Sequence, residues 1–363
     1  MMRKLNLSAP INSLGYGVVG LNLLKYLSKS IDIALALIGG VEVNQEDSTL
    51  VKNAIDKASS FEGFGKAPCL RVWHEFSLAE RVGSGPTFAF PFFEINKFDP
   101  RRINHLSSVD NIIVASKWAE KIIHKNVESA TTYVVPLGVD SSIFAHGPHK
   151  ITNKCVFFNC GKWEKRKGHD VLLEMFKKAF PDEQDVELWM MCSNPFLPQK
   201  TRSEWERYYK SDPRVRLLDR VQTQQEVAQL MASTNCGIFP SRAEGWNLEI
   251  LEMMSMGKHI ITTDYSAHTE FCNDKNCDLI NITDLEKAED GIFFDGSVGE
   301  WASLDGEPMK QGIVHMQAFY HQWKSNQSII NEEGIKTAKE LSWTNTANLL
   351  EEVIYGNQSA ETV

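Results

Sequence analysis

The sequence predicts an α/β protein made of two Rossmann-like domains, each a parallel sheet wrapped by helices. Three observations carry this expectation. Apolar runs alternate with amphipathic helical patterns from end to end. The alternation restarts after one polar, turn-rich segment, "GVDSSIFAHGPHKITNK". The chain's 363 residues also exceed what a single core usually supports. The expected division is 1–146 for the first domain and 147–343 for the second, with 344–363 as a C-terminal helix and tail.

In the first domain "KLNLSA" reads as a strand and "VVGLNLLKYL" as the helix after it. "IDIALALIG" is a continuous apolar run, the pattern of a strand buried on both faces. Further strands are expected at "CLRVW", "PTFAFPFF", "NIIVAS" and "TTYVVPLGV", with "SKWAEKIIHK" as a helix between the last two. In the second domain the strands are "KCVFFNCG", "VELWMMC", "RVRLLD", "CGIFP" and "HIITT". Helices are expected at "GHDVLLEMFKKAF", "QQEVAQLMAS" and "NLEILEMMSMG". Ligands of such sheets bind beyond the carboxyl ends of the strands, here in a cleft expected between the domains.

Composition excludes several classes. A net charge of -9 argues against a nucleic-acid partner, whose footprint is basic. No apolar run is long enough to span a bilayer, and the polar start "MMRKLNLSAP" has no signal-peptide core, so a cytoplasmic location is expected. The seven cysteines are odd in number and scattered, which suits buried, reduced thiols better than disulfides or a metal site.

The stretch "NSLGYGVVG" contains the spacing G-x-G-x-x-G, formed by Gly15, Gly17 and Gly20. A dinucleotide fingerprint needs its first glycine directly after the strand and an acid at the end of the second strand. Here Pro10 to Leu14 intervene, and "IDIALALIGG" ends in glycines. Three readings remain: a turn with close helix packing, a glycine loop facing the cleft, and a dinucleotide site. The dinucleotide reading is the weakest.

The most informative segment is "SRAEGWNLEILEMMSMGKHIITTDYSAHTEF". Glu244 and Glu252 flank a loop that turns into a helix, with Asn247 as its expected N-cap and Gly257 as its end. Free backbone N–H groups and the positive dipole end at such a helix start suit a diphosphate. Carboxylates on either side suit hydroxyls, as in a nucleotide sugar. Glu249 reads as a first-turn acid complementing the dipole. "NCGKWEKRKGHD" follows the second domain's first strand and opens a helix, so Lys162 and Lys167 are placed to hold two phosphates. Lys165 and Arg166 read as a solvated basic turn.

Together these residues resemble the retaining GT-B glycosyltransferases of family 4. "AEGWNLEILEMMSMGKHII" resembles that family's E-x7-E motif, and "GKWEKRKG" its G-R-x4-K-G phosphate loop. "VVPLGVDSSIF", "FFEINKFDPRRINHLSSVDNIIVASKWAEKI" and "LSWTNTANLLEEVI" are similar to flanking segments, the last leading back to the first domain. Two departures are Lys162 where the family usually has Arg and Glu249 where it often has Pro.

The resemblance implies roles. Glu252 would bond the ribose and Glu244 the transferred sugar. The backbone of Gly245, Trp246, Asn247 and Leu248 would meet the phosphates and sugar. Lys162 and Lys167 would neutralise the departing diphosphate. Gly15 and Gly17 would lie near donor phosphate and acceptor, and His74 near the sugar, with Glu75 a second candidate beside it. The implied activity is transfer of a hexose from a nucleoside diphosphate sugar to an acceptor hydroxyl on a glycan, lipid-linked or small-molecule acceptor. No metal or cofactor is expected, and nothing basic and amphipathic argues for peripheral membrane contact. The alternatives are a sugar-nucleotide epimerase and a non-catalytic nucleotide-sugar-binding protein on the same scaffold.

Overall fold

The computed structural model describes residues 2–60, 62–147, 153–327 and 329–356. It forms two compact units, residues 1–138 with 341–363 and residues 139–340. The expected boundary at 147 adjoins residues 148–152, which lie outside the described residues, as does the tail from 357.

The first unit runs β1 (Arg3–Ile11), α1 (Gly15–Leu27), β2 (Ile31–Val41), α2 (Gln45–Ser60), β3 (Cys69–Arg71), β4 (Thr87–Ala89), α3 (Pro100–Ser107), β5 (Asn111–Val114), α4 (Lys117–Asn126) and β6 (Thr132–Val134). All six strands are parallel, in the order β2-β1-β3-β4-β5-β6. In β1, Leu5, Leu7, Ala9 and Ile11 are buried, and so are Asn6 and Ser8 between them. That strand is covered on both faces. So is β2 in its first half, where Ile33, Ala34 and Leu35 are all buried as the apolar pattern predicts, although it lies at the sheet edge and residues 39–41 at its end are exposed.

Two expected strands are shorter than their apolar runs. "PTFAFPFF" pairs only over Thr87–Ala89 and "TTYVVPLGV" only over Thr132–Val134. Pro91 and Pro136 follow closely and have no N–H to continue a ladder. The C-terminal helix Trp343–Tyr355 belongs to this unit. Thr346 Oγ1 donates to the Pro136 carbonyl at 2.9 Å, and Tyr355 Oη donates to that of Lys4 at 2.9 Å. Gly138 is needed here, because a Cβ would strike the backbone of Ser342 and Trp343.

The second unit runs β7 (Cys155–Gly161), α5 (His169–Ala179), β8 (Val186–Cys192), α6 (Gln199–Tyr209), β9 (Val215–Leu217), α7 (Gln224–Ala232), β10 (Cys236–Phe239), α8 (Leu248–Ser255), β11 (His259–Thr263), β12 (Asp278–Ile280), β13 (Leu285–Glu289), β14 (Asp295–Ala302), α9 (Glu307–Ser325) and α10 (Glu332–Glu340). Its sheet is parallel in the order β12-β11-β10-β7-β8-β9, and β13 with β14 forms a separate antiparallel hairpin. Phe157, Leu172, Phe176, Leu188, Ile238 and Phe319 are among the buried core.

Strand order reverses between β1 and β3 in the first unit and between β7 and β10 in the second. Crevices for ligands open at such switch points, beyond the carboxyl ends of the strands. All seven cysteines are buried free thiols. Among the described residues no group of three or more His, Cys, Asp or Glu is placed to hold a metal, and no helix is long and apolar enough to cross a membrane.

Candidate active site

In the second unit the loop after β7, residues 162–168, meets the loop after β10, residues 240–247. Backbone and side chains stitch them together. Arg242 N donates to the Arg166 carbonyl at 2.7 Å, Arg166 Nη1 to that of Ala243 at 2.7 Å, and Arg242 Nη1 to that of Lys165 at 2.6 Å. Arg242 also makes a bidentate pair with Asp170 at 2.7 and 2.9 Å and donates from Nε to Glu286 on β13 at 2.6 Å. Gly168 sits at the crossing with φ of +73°, and a Cβ there would strike the Pro240 carbonyl. Glycine alone fits both demands.

Glu244 lies at the centre and is buried. Its Oε1 accepts from Lys167 Nζ and Ser241 Oγ, both at 2.8 Å, and its Oε2 accepts from Arg166 Nη1 at 2.7 Å. Burial opposes its ionised form, but Arg166 and Lys167 outweigh that and hold the carboxyl well below the usual range. For Lys167 burial likewise opposes charge, and Glu244 with Glu249 overcomes it, raising the ammonium's pKa. Both groups are therefore ionised at neutral pH. Lys162 stands further out: its side chain keeps 38% of its exposure and pairs with buried Glu164 at 3.0 Å.

Arg166 is not the solvated residue that the charge run suggested. It is buried, donating to Glu164 Oε2 from Nε at 3.0 Å and Nη2 at 2.7 Å as well as to Glu244. The guanidinium donates four bonds here, to two carboxylates and a carbonyl, one more than a lysine ammonium can give. Lys165, in contrast, remains half-exposed. His169, also unforeseen, anchors the loop from beneath. Glu164 N donates to its Nδ1 at 3.3 Å, so Nε2 carries the proton and donates to Asn159 Oδ1 at 3.0 Å. Burial lowers its pKa to about 3, helped by Lys167, so the ring is neutral.

Helix α8 starts where expected, but Asn247 does not cap it through its side chain. Its backbone is left-handed, with φ of +86°, and its amide makes no capping bond. Nδ2 instead donates to His268 Nε2 at 3.1 Å. Trp246 is buried against Phe271, ring centroids 4.7 Å apart, and its Nε1 has no hydrogen-bond partner among the described residues. Gly245 links it to Glu244, and Leu248 opens the helix. Glu252 is buried on α8, and its carboxyl has no hydrogen bond or ion pair among the described residues. Burial and neighbouring Glu249 push its pKa well above the ordinary value. Gly257 follows the helix at φ of +72°.

The other candidates lie in the first unit. Gly15 and Gly17 open α1 after β1, and His74 follows β3, so they flank that sheet's switch point. Tyr16 joins them. Its ring lies 4.7 Å from His74 and 5.3 Å from Trp73, and its Oη donates to the Phe92 carbonyl at 2.9 Å. A Cβ on Gly15 would meet nothing within 4 Å, whereas one on Gly17 would strike Asn12 and one on Gly20 the Pro10 carbonyl. His74 also stacks on Phe76 at 5.0 Å. Glu75, beside it, is buried in an ion pair with Arg102 at 2.7 Å.

Residues 154–293 match the family model described as Glycosyl transferases group 1. Over nearly the whole chain the fold is that of solved GT-B enzymes. The chain is a glycosyltransferase with a GT-B fold. A glycosyltransferase from Rickettsia africae is 12% identical, with 99% of each chain covered and a TM-score of 0.69. Sucrose-phosphate synthase from Thermosynechococcus elongatus is 13% identical, covering 99% of this chain and 100% of the other at a TM-score of 0.68. The provisionally named glycosyltransferase 45 of Sulfolobus islandicus filamentous virus (isolate Iceland/Hveragerdi) is 22% identical over 252 residues, 68% of this glycosyltransferase and 67% of the viral protein.

Proposed function

We propose that this glycosyltransferase moves a hexose from a nucleoside diphosphate sugar to an acceptor hydroxyl with retention at the anomeric carbon. The observation that carries the reading is the clasp at the β7/β10 switch point, where Lys167 and Arg166 meet Glu244 and Lys162 pairs with Glu164, beside the start of α8. In support, an Anabaena protein, HepE, solved with UDP-glucose shares the fold at 14% identity and a TM-score of 0.64, covering 99% of this chain and 100% of that one.

The chemical demand is to stabilise a departing diphosphate beside an electron-poor sugar. Fixed charges do this best when they need no reorganisation. Lys167 and Arg166 are fixed by Glu244 and Glu164. Lys162, half-exposed and paired with Glu164 at 3.0 Å, lies at the outer edge, where it would meet a phosphate directly. The N–H groups at the start of α8 add a positive end to the same site. Glu252 lies along that helix, its carboxyl suited to ribose hydroxyls.

In front-face transfer the bond from C1 to the phosphate oxygen breaks as the bond from C1 to the acceptor oxygen forms on the same face. The acceptor's proton passes to the leaving phosphate. This scheme needs neither a protein nucleophile nor a metal, because Lys162, Lys167 and the helix start supply the positive charge. Gly15 and Gly17 are assigned to donor phosphate and acceptor, and His74 to the sugar, on the resemblance alone. Calorimetric titration with UDP, GDP and ADP tests the reading: one of them should bind, and its hexose esters should follow. Binding of NAD with none of the three diphosphates would overturn it.

A further inference from the structure

Asn247 holds an unusual backbone position and leaves a buried acceptor unused. The left-handed region is glycine's, yet an amide stands there with φ of +86°. Its Oδ1 is buried and has no hydrogen-bond partner among the described residues. A buried polar atom left unsatisfied costs stability, so its retention needs a reason.

The amide's orientation is set by His268. Three oxygens surround Nδ1 of that ring: Thr262 Oγ1 at 3.0 Å, Thr263 Oγ1 at 3.3 Å and the Thr263 carbonyl at 3.1 Å. The two hydroxyls spend their hydrogens elsewhere, on the carbonyls of Phe239 and Ser241. All three oxygens therefore act as acceptors, and Nδ1 carries the proton. Burial keeps the ring neutral, with a pKa of about 4. Nε2 is then an acceptor, and the group it faces at 3.1 Å must be the Asn247 NH2. That leaves Oδ1 as the free end. Neither Asn247 as a side-chain ligand nor His268 is implied by the sequence motif.

We propose that Asn247 reads a hydroxyl of the transferred sugar through Oδ1, and that His268 is the positioning residue that holds the amide for it. The inference rests on the donor reading above. A sugar hydroxyl entering here would donate to Oδ1 and satisfy it, so sugar-bearing ligands gain what a bare diphosphate does not.

The test compares UDP with UDP-glucose by calorimetry, or the matching pair for whichever of UDP, GDP and ADP the wild-type protein binds. Asn247→Gly suits the left-handed backbone and removes only the side chain. It should cut the ratio of sugar-diphosphate affinity to diphosphate affinity about tenfold. His268→Leu should do the same, while His268→Gln, which keeps an acceptor for the Asn247 amide, should retain most of the gain. Among monodeoxy sugar donors, one should bind wild type and Asn247→Gly alike. A full sugar gain in Asn247→Gly overturns the proposal, and equal behaviour of His268→Gln and His268→Leu removes the positioning role. Failure of all three diphosphates to bind wild type would instead take down the donor reading.

Discussion

Lys167 Nζ donates to Glu244 Oε1 at 2.8 Å, joining a half-buried ammonium to a buried carboxylate 77 residues away in sequence. The pair fastens the loop after β7 to the loop after β10, and Arg166 repeats the fastening on the other carboxylate oxygen. Glu244 is thus a structural counter-ion as well as a candidate sugar ligand. Loss of Glu244 should therefore disturb nucleotide binding as well as sugar contact, since the loop holding the phosphate cations depends on it.

Glu244→Ala should destabilise the second unit by about 3–5 kcal/mol, because it strands two cations held inside the clasp. Urea unfolding would measure this, and a midpoint unchanged from wild type would exclude the role. The sign with pH follows from the lowered folded pKa. The contribution is present above the ordinary carboxylate pKa of 4.5 and is lost as pH falls below it. The variant should therefore show a flatter acid limb than wild type.

Lys162 and Lys167 should separate binding from folding. Lys167 is held inside the clasp with its side chain 11% exposed, whereas Lys162 pairs with Glu164 at the half-exposed outer edge. Lys162→Ala should keep its thermal midpoint and lose about 10²–10³ in kcat, the scale of removing one transition-state contact. Lys167→Ala should lose both activity and stability. A Lys162→Ala enzyme with full turnover would remove that residue from the chemistry.

The sheets and the clasp differ in how much of them can be read from the chain. Alternating apolar runs exposed both parallel sheets, because burying a parallel sheet demands them. The β13–β14 hairpin escaped, since "LEKAEDGIFFDGSVGEWA" is charged and half-exposed. Glu244, Lys162 and Lys167 were legible because charge and spacing coincide with a loop at a strand end. Arg166 was misread because sequence shows a charge run and not the two carboxylates that fold over it. His169, His268 and Tyr16 carried no local signal at all: each acts through partners brought to it by the fold.

Two neutral histidines predict acid sensitivity that begins above the carboxylate range. His169 and His268 have folded pKa values near 3 and 4 against an ordinary 6.5, so the unfolded chain takes up their protons first as pH falls. Stability is complete above 6.5 and should decline below it by up to about 1.4 kcal/mol per pH unit for each. Burial of Glu252 and Glu75 raises their pKa values and works in the opposite sense. The variants isolate the histidines: His169→Gln and His268→Gln should each flatten the slope between about pH 4.5 and 6. An unaltered slope in both would show that neither ring titrates on unfolding.

Three glycine substitutions distinguish packing from ligand approach. Gly168→Ala places a side chain at φ of +73° and against the Pro240 carbonyl, so it should cost upwards of about 2 kcal/mol. Gly17→Ala should also destabilise, because its Cβ meets the backbone of Asn12. Gly15 differs: the space around its Cβ position is open and its backbone is ordinary. Gly15→Ala should therefore leave the thermal midpoint in place. If it nevertheless lowers kcat/KM for transfer, the space beside Gly15 is used by a substrate, and the glycine pattern after β1 marks an approach path. Unchanged turnover in a stable Gly15→Ala enzyme would assign these glycines to the turn and to the packing of α1 alone.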